Sequence, residues 1–278
     1  MARTILAPSK INLGLHVLRM REDGFRDIDT VFLRIPWCDE VSWQPAPTRG
    51  MTCSDPDLPT DGRNLCLAAA ERLADAMDVD SGFVLHLEKL VPYGAGLGSG
   101  SSDAAATLKL LGEQWGAEEG LLFELAAELG SDVPFFLGPP VARGTGRGER
   151  LEPMSWRCPY PLVVAVPPVH VPTAGAYGMV EPDDVARPNL VSLVTTGDTA
   201  RWRSELRNDF QVPVAAAWGR IGSVLQALRD RDVLYAAMSG SGSAVFAACR
   251  TEDQAAELAD LLILAGCRTW SGFAGDPV

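Results

Sequence analysis

The sequence predicts an α+β fold, on three observations. Strand-like and helix-like segments alternate along the chain, a strand pattern runs into a glycine-rich loop that opens a helix, and a second glycine turn enters another strand. In segment 5–17, Ile11, Leu13, Leu15 and Val17 fall on alternate positions with Asn12, Gly14 and His16 between them, which is strand periodicity. Segments 30–35 and 39–43 are further strand candidates, and 65–76 has helical spacing with a charged outer face. Segment 83–90 sets Phe83, Leu85 and Leu87 against Val84, His86 and Glu88, a strand that feeds the glycine loop. Segments 101–111 and 121–129 read as helices, and the glycine-dense stretch 138–153 reads as a loop. Segment 162–166 is a buried strand, broken off by Pro167, Pro168 and Pro172. Helical spacing returns over 212–228 and 252–264, on either side of the second glycine turn and its strand at 238–247. There is no internal repeat and no low-complexity tract. A boundary near residue 150 divides the chain into 1–150 and 151–278.

Length and composition narrow the function. A chain of 278 residues, 47% of them apolar, builds one large domain or two modest ones. No apolar run approaches the roughly 20 residues needed to cross a bilayer. The stretch from Met1 to Pro8 is too short and too soon interrupted to be a signal peptide. Cys38, Cys53, Cys66, Cys158, Cys249 and Cys267 are scattered, with no Cys-x-x-Cys pair, as in a reduced cytoplasmic protein. Three histidines without ligand spacing argue against zinc. A net charge of −12 argues against nucleic acid and anionic membrane as partners, but leaves room for a phosphorylated small molecule.

The stretch from Lys89 to Ala106 carries the chemistry. Gly94, Gly96, Gly98 and Gly100 fall within seven positions, and Ser101, Ser102 and Asp103 follow as the opening turn of a helix, where polar side chains cap free N–H groups. A helix N-terminus with open N–H groups attracts phosphate through its donors and its dipole. The loop is therefore a candidate nucleotide phosphate site, against the plainer reading of a glycine turn before a helix. It is not a Walker A loop, because no lysine follows Gly100. It is not the dinucleotide fingerprint either, because the sixth position is Ser99 or Ser101, depending on the starting glycine.

Two charged residues stand out beyond the loop. Lys10 lies early in the first strand, either snorkelling from an edge or neutralising phosphate charge. Asp132, between a helix and Val-Pro-Phe-Phe136, is either a turn aspartate bonded to its own backbone or a general base. As a pair, the lysine's charge favours the ionised carboxylate, which then takes a hydroxyl proton. Asp23-Gly24 is a hairpin signal that leaves Phe25 as an exposed ring, and Tyr177 is a second ring available to stack.

Together these segments resemble the GHMP kinase family over nearly the whole chain. The resemblance rests on Pro8-Ser-Lys-Ile-Asn-Leu13, on the loop from Pro92 to Ala105 and on Met238-Ser-Gly-Ser-Gly-Ser243. A narrower resemblance, to members acting on a cytidine diphosphate-linked substrate, rests on Arg21-Glu-Asp-Gly-Phe25, Gly130-Ser-Asp-Val-Pro-Phe-Phe136, Arg143-Gly-x-Gly-x-Gly-Glu149 and Asn208-Asp-Phe210. The family implies a two-domain α+β fold, with an N-terminal domain like ribosomal protein S5 domain 2, a ferredoxin-like C-terminal domain and the active site in the cleft between them. It implies ATP and Mg²⁺ as cofactors, and Lys10 and Asp132 as the catalytic pair. It places Pro92, Gly94, Ala95, Gly96, Leu97, Gly98, Ser99, Gly100, Ser101 and Ser102 around ATP, and Asn12, Phe25, Arg26 and Tyr177 around the substrate. The narrower resemblance implies phosphorylation of the 2-hydroxyl of 4-diphosphocytidyl-2-C-methyl-D-erythritol in non-mevalonate isoprenoid precursor synthesis, by a cytoplasmic monomer or homodimer. The alternatives are a kinase of the same family acting on homoserine, mevalonate or a sugar, and a nucleotide-binding module without catalysis. Three positions depart from the family pattern. Phe25 replaces a more usual tyrosine, Ser99 stands where glycine is usual and fits if its φ is negative, and Arg26 stands where histidine hydrogen-bonds cytosine. Arginine donates to a pyrimidine carbonyl but cannot serve as a neutral acceptor.

Overall fold

One long antiparallel hairpin organises the N-terminal half of the computed structural model, which describes residues 3–182 and 187–277. Its strands, β1 (Arg3–Met20) and β2 (Arg26–Pro45), are joined by the Asp23-Gly24 turn, where Gly24 has φ 81° and Asp23 Oδ1 accepts the Phe25 N–H at 3.1 Å. The sequence predicts two strands where β2 is one. The ladder passes from the pair Pro8–Cys38 to the pair Ser9–Ile35, so Pro36 and Trp37 bulge out without ending the strand.

Four shorter strands complete this sheet: β3 (Gly50–Cys53), β4 (Phe83–Glu88), β5 (Val141–Gly146) and β6 (Arg150–Pro153). The order is β3-β4-β2-β5-β6, with β1 paired to β2. The predicted loop at 138–153 is thus mostly a hairpin. Its glycines disguised it. Gly144 is a packing position, since a Cβ there would overlap the Phe32 ring. Four helices join the sheet: α1 (Leu65–Ala76), α2 (Ser99–Trp115), α3 (Glu119–Leu129) and α4 (Val133–Leu137). Leu73, Ala105, Leu108 and Phe135 from α1, α2 and α4 are buried in one cluster with Phe32, Phe83 and Leu85 of the sheet. Each fully buried side chain of this size contributes roughly 1.5–3 kcal/mol.

The second sheet, in the order β10-β7-β9-β8, is formed by β7 (Leu162–Val166), β8 (Tyr235–Met238), β9 (Val245–Ala248) and β10 (Arg268–Gly272), all antiparallel. With it go α5 (Thr173–Gly178), α6 (Leu190–Thr195), α7 (Thr199–Glu205), α8 (Gln211–Ala217), α9 (Gly219–Arg229) and α10 (Glu252–Leu264). The predicted helix 212–228 is divided into α8 and α9, because Trp218 leaves helical geometry at φ −114°, ψ 81°.

Strand alternation assigns the faces. Leu162, Val164, Val166 and Phe246 pack with Ile11, Leu13, Val31 and Leu33, burying one sheet against the other. Val163, Ala165, Val245 and Ala247 pack instead with Leu225, Leu228, Leu258 and Leu262 of α9 and α10. A strand covered on both sides reads as the unbroken apolar run of 162–166. The free edge of β1 is closed by backbone bonds. Lys10 N–H donates to the Leu97 carbonyl at 2.9 Å, and Leu15 exchanges bonds with Arg207 and Asp209. These contacts bring the glycine loop and the segment around Asn208 to the same strand.

Candidate active site

A cleft of about 840 Å³ opens where these elements meet. It is lined by Lys10 and Asn12 of β1, Phe25 and Arg26 at the hairpin turn, the glycine loop, Asp132, Tyr177 of α5 and the turn at Gly240-Ser241. A second cavity of about 690 Å³, lined by Arg203, Arg207, Asn208 and Arg229, holds none of the predicted site residues.

The glycine loop forms one wall of the cleft. Gly94, Gly96 and Gly98 have φ of 67°, 80° and 68°, conformations that favour glycine, whereas Gly100 does not need one. Gly96 also cannot carry a side chain, because a Cβ there would overlap the Ser239 carbonyl oxygen. The two glycine turns, distant in sequence, are therefore in backbone contact. Ala95 and Leu97 bury their side chains and give their carbonyls to the Ala244 and Lys10 N–H groups, each at 2.9 Å. Among the described residues, the N–H groups of Gly96, Leu97 and Gly98 donate no hydrogen bond.

Helix α2 begins at Ser99, two residues before the predicted start, so Ser101, Ser102 and Asp103 belong to its first turns and do not cap it. Its N-cap is Gly98, which offers no side chain, and the first-turn donors stay open. Ser99 has negative φ, which is why serine is accommodated there. The Ser99 and Ser102 hydroxyls are buried without a partner. An uncapped helix start, open loop amides and orphaned hydroxyls together form a site for a polyanion.

Lys10 does not snorkel. Its side chain is 5% exposed, and Nζ lies 2.7 Å from Asn12 Oδ1, 3.2 Å from the Gly96 carbonyl and 3.5 Å from Asp132 Oδ2. Asn12 is held in turn by Thr30, whose hydroxyl accepts from Nδ2 at 2.9 Å and donates to the Gly14 carbonyl at 2.6 Å. The Asn12 backbone N–H donates to Ser239 Oγ at 3.2 Å, and that hydroxyl donates to Gly96 at 2.9 Å. Asn12 thus spends both ends of its amide in the protein and orients the ammonium. Asp132 stands at the N-cap of α4 but accepts no backbone N–H there, so its carboxylate faces the cleft free of the plain turn role.

Rings line the other wall. Phe25 is 53% exposed, with the Arg147 guanidinium 4.8 Å from its ring centre. Tyr177 packs edge-on against Phe210 at 4.8 Å, and burial, with the Asp132 charge adding to it, raises its phenol above the ordinary range. Arg26 reaches across the cleft end, and its guanidinium donates to the Val180 carbonyl just past α5. Arg147, Tyr93, Phe210 and Ser239 went unassigned in the sequence as site residues. Each lies in a motif that the sequence displays, Arg147 in Arg143–Glu149, Tyr93 in the loop from Pro92, Phe210 in Asn208-Asp-Phe210 and Ser239 in Met238–Ser243, but only tertiary packing shows which side chains of those motifs reach the site.

Among the described residues no group of three or more His, Cys, Asp or Glu is placed to hold a metal ion. Mg²⁺ is often carried largely by phosphate oxygens and water with one or two protein oxygens, and Asp132 and Ser99, both lining the cleft, fit that use, whereas Ser102 does not line it. No described helix is long and apolar enough to cross a membrane.

Residues 64–138 match the GHMP kinases N terminal domain and residues 188–262 the GHMP kinases C terminal domain. A 4-diphosphocytidyl-2-C-methyl-D-erythritol kinase of Salinibacter ruber is 52% identical over 248 residues, covering 86% of this chain and 87% of its own. One of Chlorobium chlorochromatii is 39% identical, covering 89% and 88%. The crystal structure of a 4-(cytidine 5'-diphospho)-2C-methyl-D-erythritol kinase superposes with a TM-score of 0.85 at 36% identity, covering 99% of each chain.

Proposed function

The chain belongs to the GHMP kinase family, and on that premise we propose that it transfers the γ-phosphoryl group of ATP to the 2-hydroxyl of 4-diphosphocytidyl-2-C-methyl-D-erythritol, a step in non-mevalonate isoprenoid precursor synthesis. The observation that carries this reading is the Lys10–Asp132 pair beside a loop whose amides are open to phosphate. The catalytic and binding roles given to individual residues are part of the proposal, as is the division into domains 1–150 and 151–278.

Asp132 accepts the proton of the attacking hydroxyl as its oxygen bonds to the γ-phosphorus and the bond to the ADP oxygen breaks. Lys10, oriented by Asn12, offsets charge on the transferring group and keeps Asp132 in place. The loop amides and the start of α2 hold the triphosphate in line, which is most of what phosphoryl transfer demands. Mg²⁺ would neutralise the phosphate oxygens when bound, and Asp132 and Ser99, which line the cleft, are the residues that would hold it. Phe25 and Tyr177 offer faces to the cytosine, and Asn12, whose amide is bonded to Lys10 and Thr30, serves the substrate by orienting the ammonium. Arg26, tied to Val180 through one guanidinium nitrogen, sets the spacing of the two walls and keeps its other donors for the substrate. All six cysteines are free, in keeping with cytoplasmic activity, and one chain supplies the whole cleft, so a monomer or a homodimer is equally served.

The test is an ATP-coupled assay with 4-diphosphocytidyl-2-C-methyl-D-erythritol, homoserine, mevalonate and a hexose offered separately. Turnover of the cytidine diphosphate compound alone is expected. Preference for another alcohol, or ATP binding with no turnover, would overturn the assignment.

A further inference from the structure

We propose that Asp39, Lys89 and Asp103 form a buried strut that holds both ends of the glycine loop in its ATP-binding shape, making them positioning residues for the nucleotide. The proposal rests on the reading that this loop binds ATP. Lys89 Nζ lies 2.5 Å from Asp39 Oδ2 and 2.6 Å from Asp103 Oδ2. Their side chains are only 2%, 0% and 3% exposed. The second oxygen of Asp39 accepts the N–H groups of Leu90 and Val91 at 2.6 and 2.7 Å. The loop from Pro92 to Ser102 starts immediately after Val91 and ends immediately before Asp103. One carboxylate on β2 therefore grips the entry of the loop through two backbone bonds, and the lysine carries that grip to the exit.

A stability role alone does not explain three buried ionisable groups. Burial opposes the charged forms of both Lys89 and Asp103, while their mutual attraction favours them. Such clusters often stabilise no better than apolar residues of the same volume, and their best-attested use is to fix one geometry. The loop they flank needs that service, because three glycines at positive φ leave it many conformations once its ends are free. Ordering a loop on binding costs affinity, and pinning it beforehand restores that affinity. Asp103 Oδ1 is buried without a partner, a cost that a purely stabilising cluster would not carry.

The test uses calorimetric titration of the full chain with ADP, alongside steady-state kinetics. Asp39→Asn and Asp103→Asn keep shape while removing one carboxylate each; Asp103→Asn retains an acceptor for Lys89, whereas Asp39→Asn replaces one of two accepting oxygens with a donor and so breaks either the lysine bond or the grip on Leu90 and Val91. Both are expected to weaken ADP binding and raise KM for ATP by about tenfold, with KM for the alcohol within about twofold of wild type. Lys89→Arg, which keeps the charge, is expected to stay within about threefold for ADP. Variants that melt earlier but bind ADP as wild type does would show a purely structural cluster and overturn the proposal. Should a single variant fail to fold, the charge-free triple Asp39→Asn/Lys89→Gln/Asp103→Asn takes the same test, with the same two outcomes. Failure of the wild-type chain to bind ADP would remove the ATP reading and the strut with it; unchanged affinity in the variants removes the strut alone.

Discussion

Lys10 Nζ lies 3.5 Å from Asp132 Oδ2, joining the first strand to the start of α4 across the floor of the cleft. The lysine also touches Asn12 and the Gly96 carbonyl, so the position of the carboxylate is tied to the strand, to the glycine loop and, through Ser239, to the second glycine turn. On the proposed reading of Asp132 as the base, a carboxylate located in this way is ready before substrate arrives, which is what electrostatic preorganisation requires.

Gly96→Ala is expected to damage both stability and nucleotide binding. The added carbon would overlap the Ser239 carbonyl oxygen at a backbone φ of 80°. A cost of about 2 kcal/mol or more is expected, read as a lower melting temperature, together with a higher KM for ATP. Gly120→Ala, on the exposed surface of α3 away from the cleft and with nothing within 4 Å of an added carbon, is the matched control and should bind ATP nearly normally.

Arg26→Met should raise KM for the alcohol substrate about tenfold while leaving KM for ATP within about twofold, because it removes the tie to Val180 that spans the ring-lined end of the cleft. Arg26→His is expected to fall between the two, since imidazole is too short to reproduce the bond to Val180 and keeps only a ring-nitrogen donor. Equal KM values for wild type and Arg26→Met would show that the strap plays no part in substrate binding.

His16 makes stability depend on pH. Burial lowers its affinity for a proton, with Asp209 and Asp29 pulling upward and Arg187 and Arg207 downward. The unfolded chain, with an ordinary imidazole near 6.5, therefore binds the proton first. Stability from this group is present above that value and is lost as pH falls below it, down to the lower value in the fold. Melting temperature should thus fall between pH 7.5 and 5.5 in wild type, and fall less in His16→Gln.

Local pattern carried the parts of this molecule that depend on local rules. The loop glycines, the Asp23-Gly24 turn and the apolar run of 162–166 each have a short-range signal that survives folding. Lys10 and Asp132 were visible as charged residues in apolar surroundings, although position alone left their roles divided. What was hidden depends on distant partners. The strands at 141–146 and 150–153 look like loop because Gly144 is required by the Phe32 ring, a contact across the sheet. The strut around Lys89 was invisible for the same reason: Asp39 and Asp103 meet it only once β2 and α2 are in place. Arg26 could be seen to depart from the family pattern, but its partner, the Val180 carbonyl, could not be read from a one-dimensional string.

The most direct measurement is single-turnover phosphorylation of 4-diphosphocytidyl-2-C-methyl-D-erythritol by Asp132→Asn, with ATP binding measured on the same sample. The amide keeps the shape of the carboxylate and gives up its basicity, so ATP should bind as in wild type while the rate falls by about 10² or more. A variant that turns over at the wild-type rate would show that the proton leaves by another route and that Asp132 is not the base.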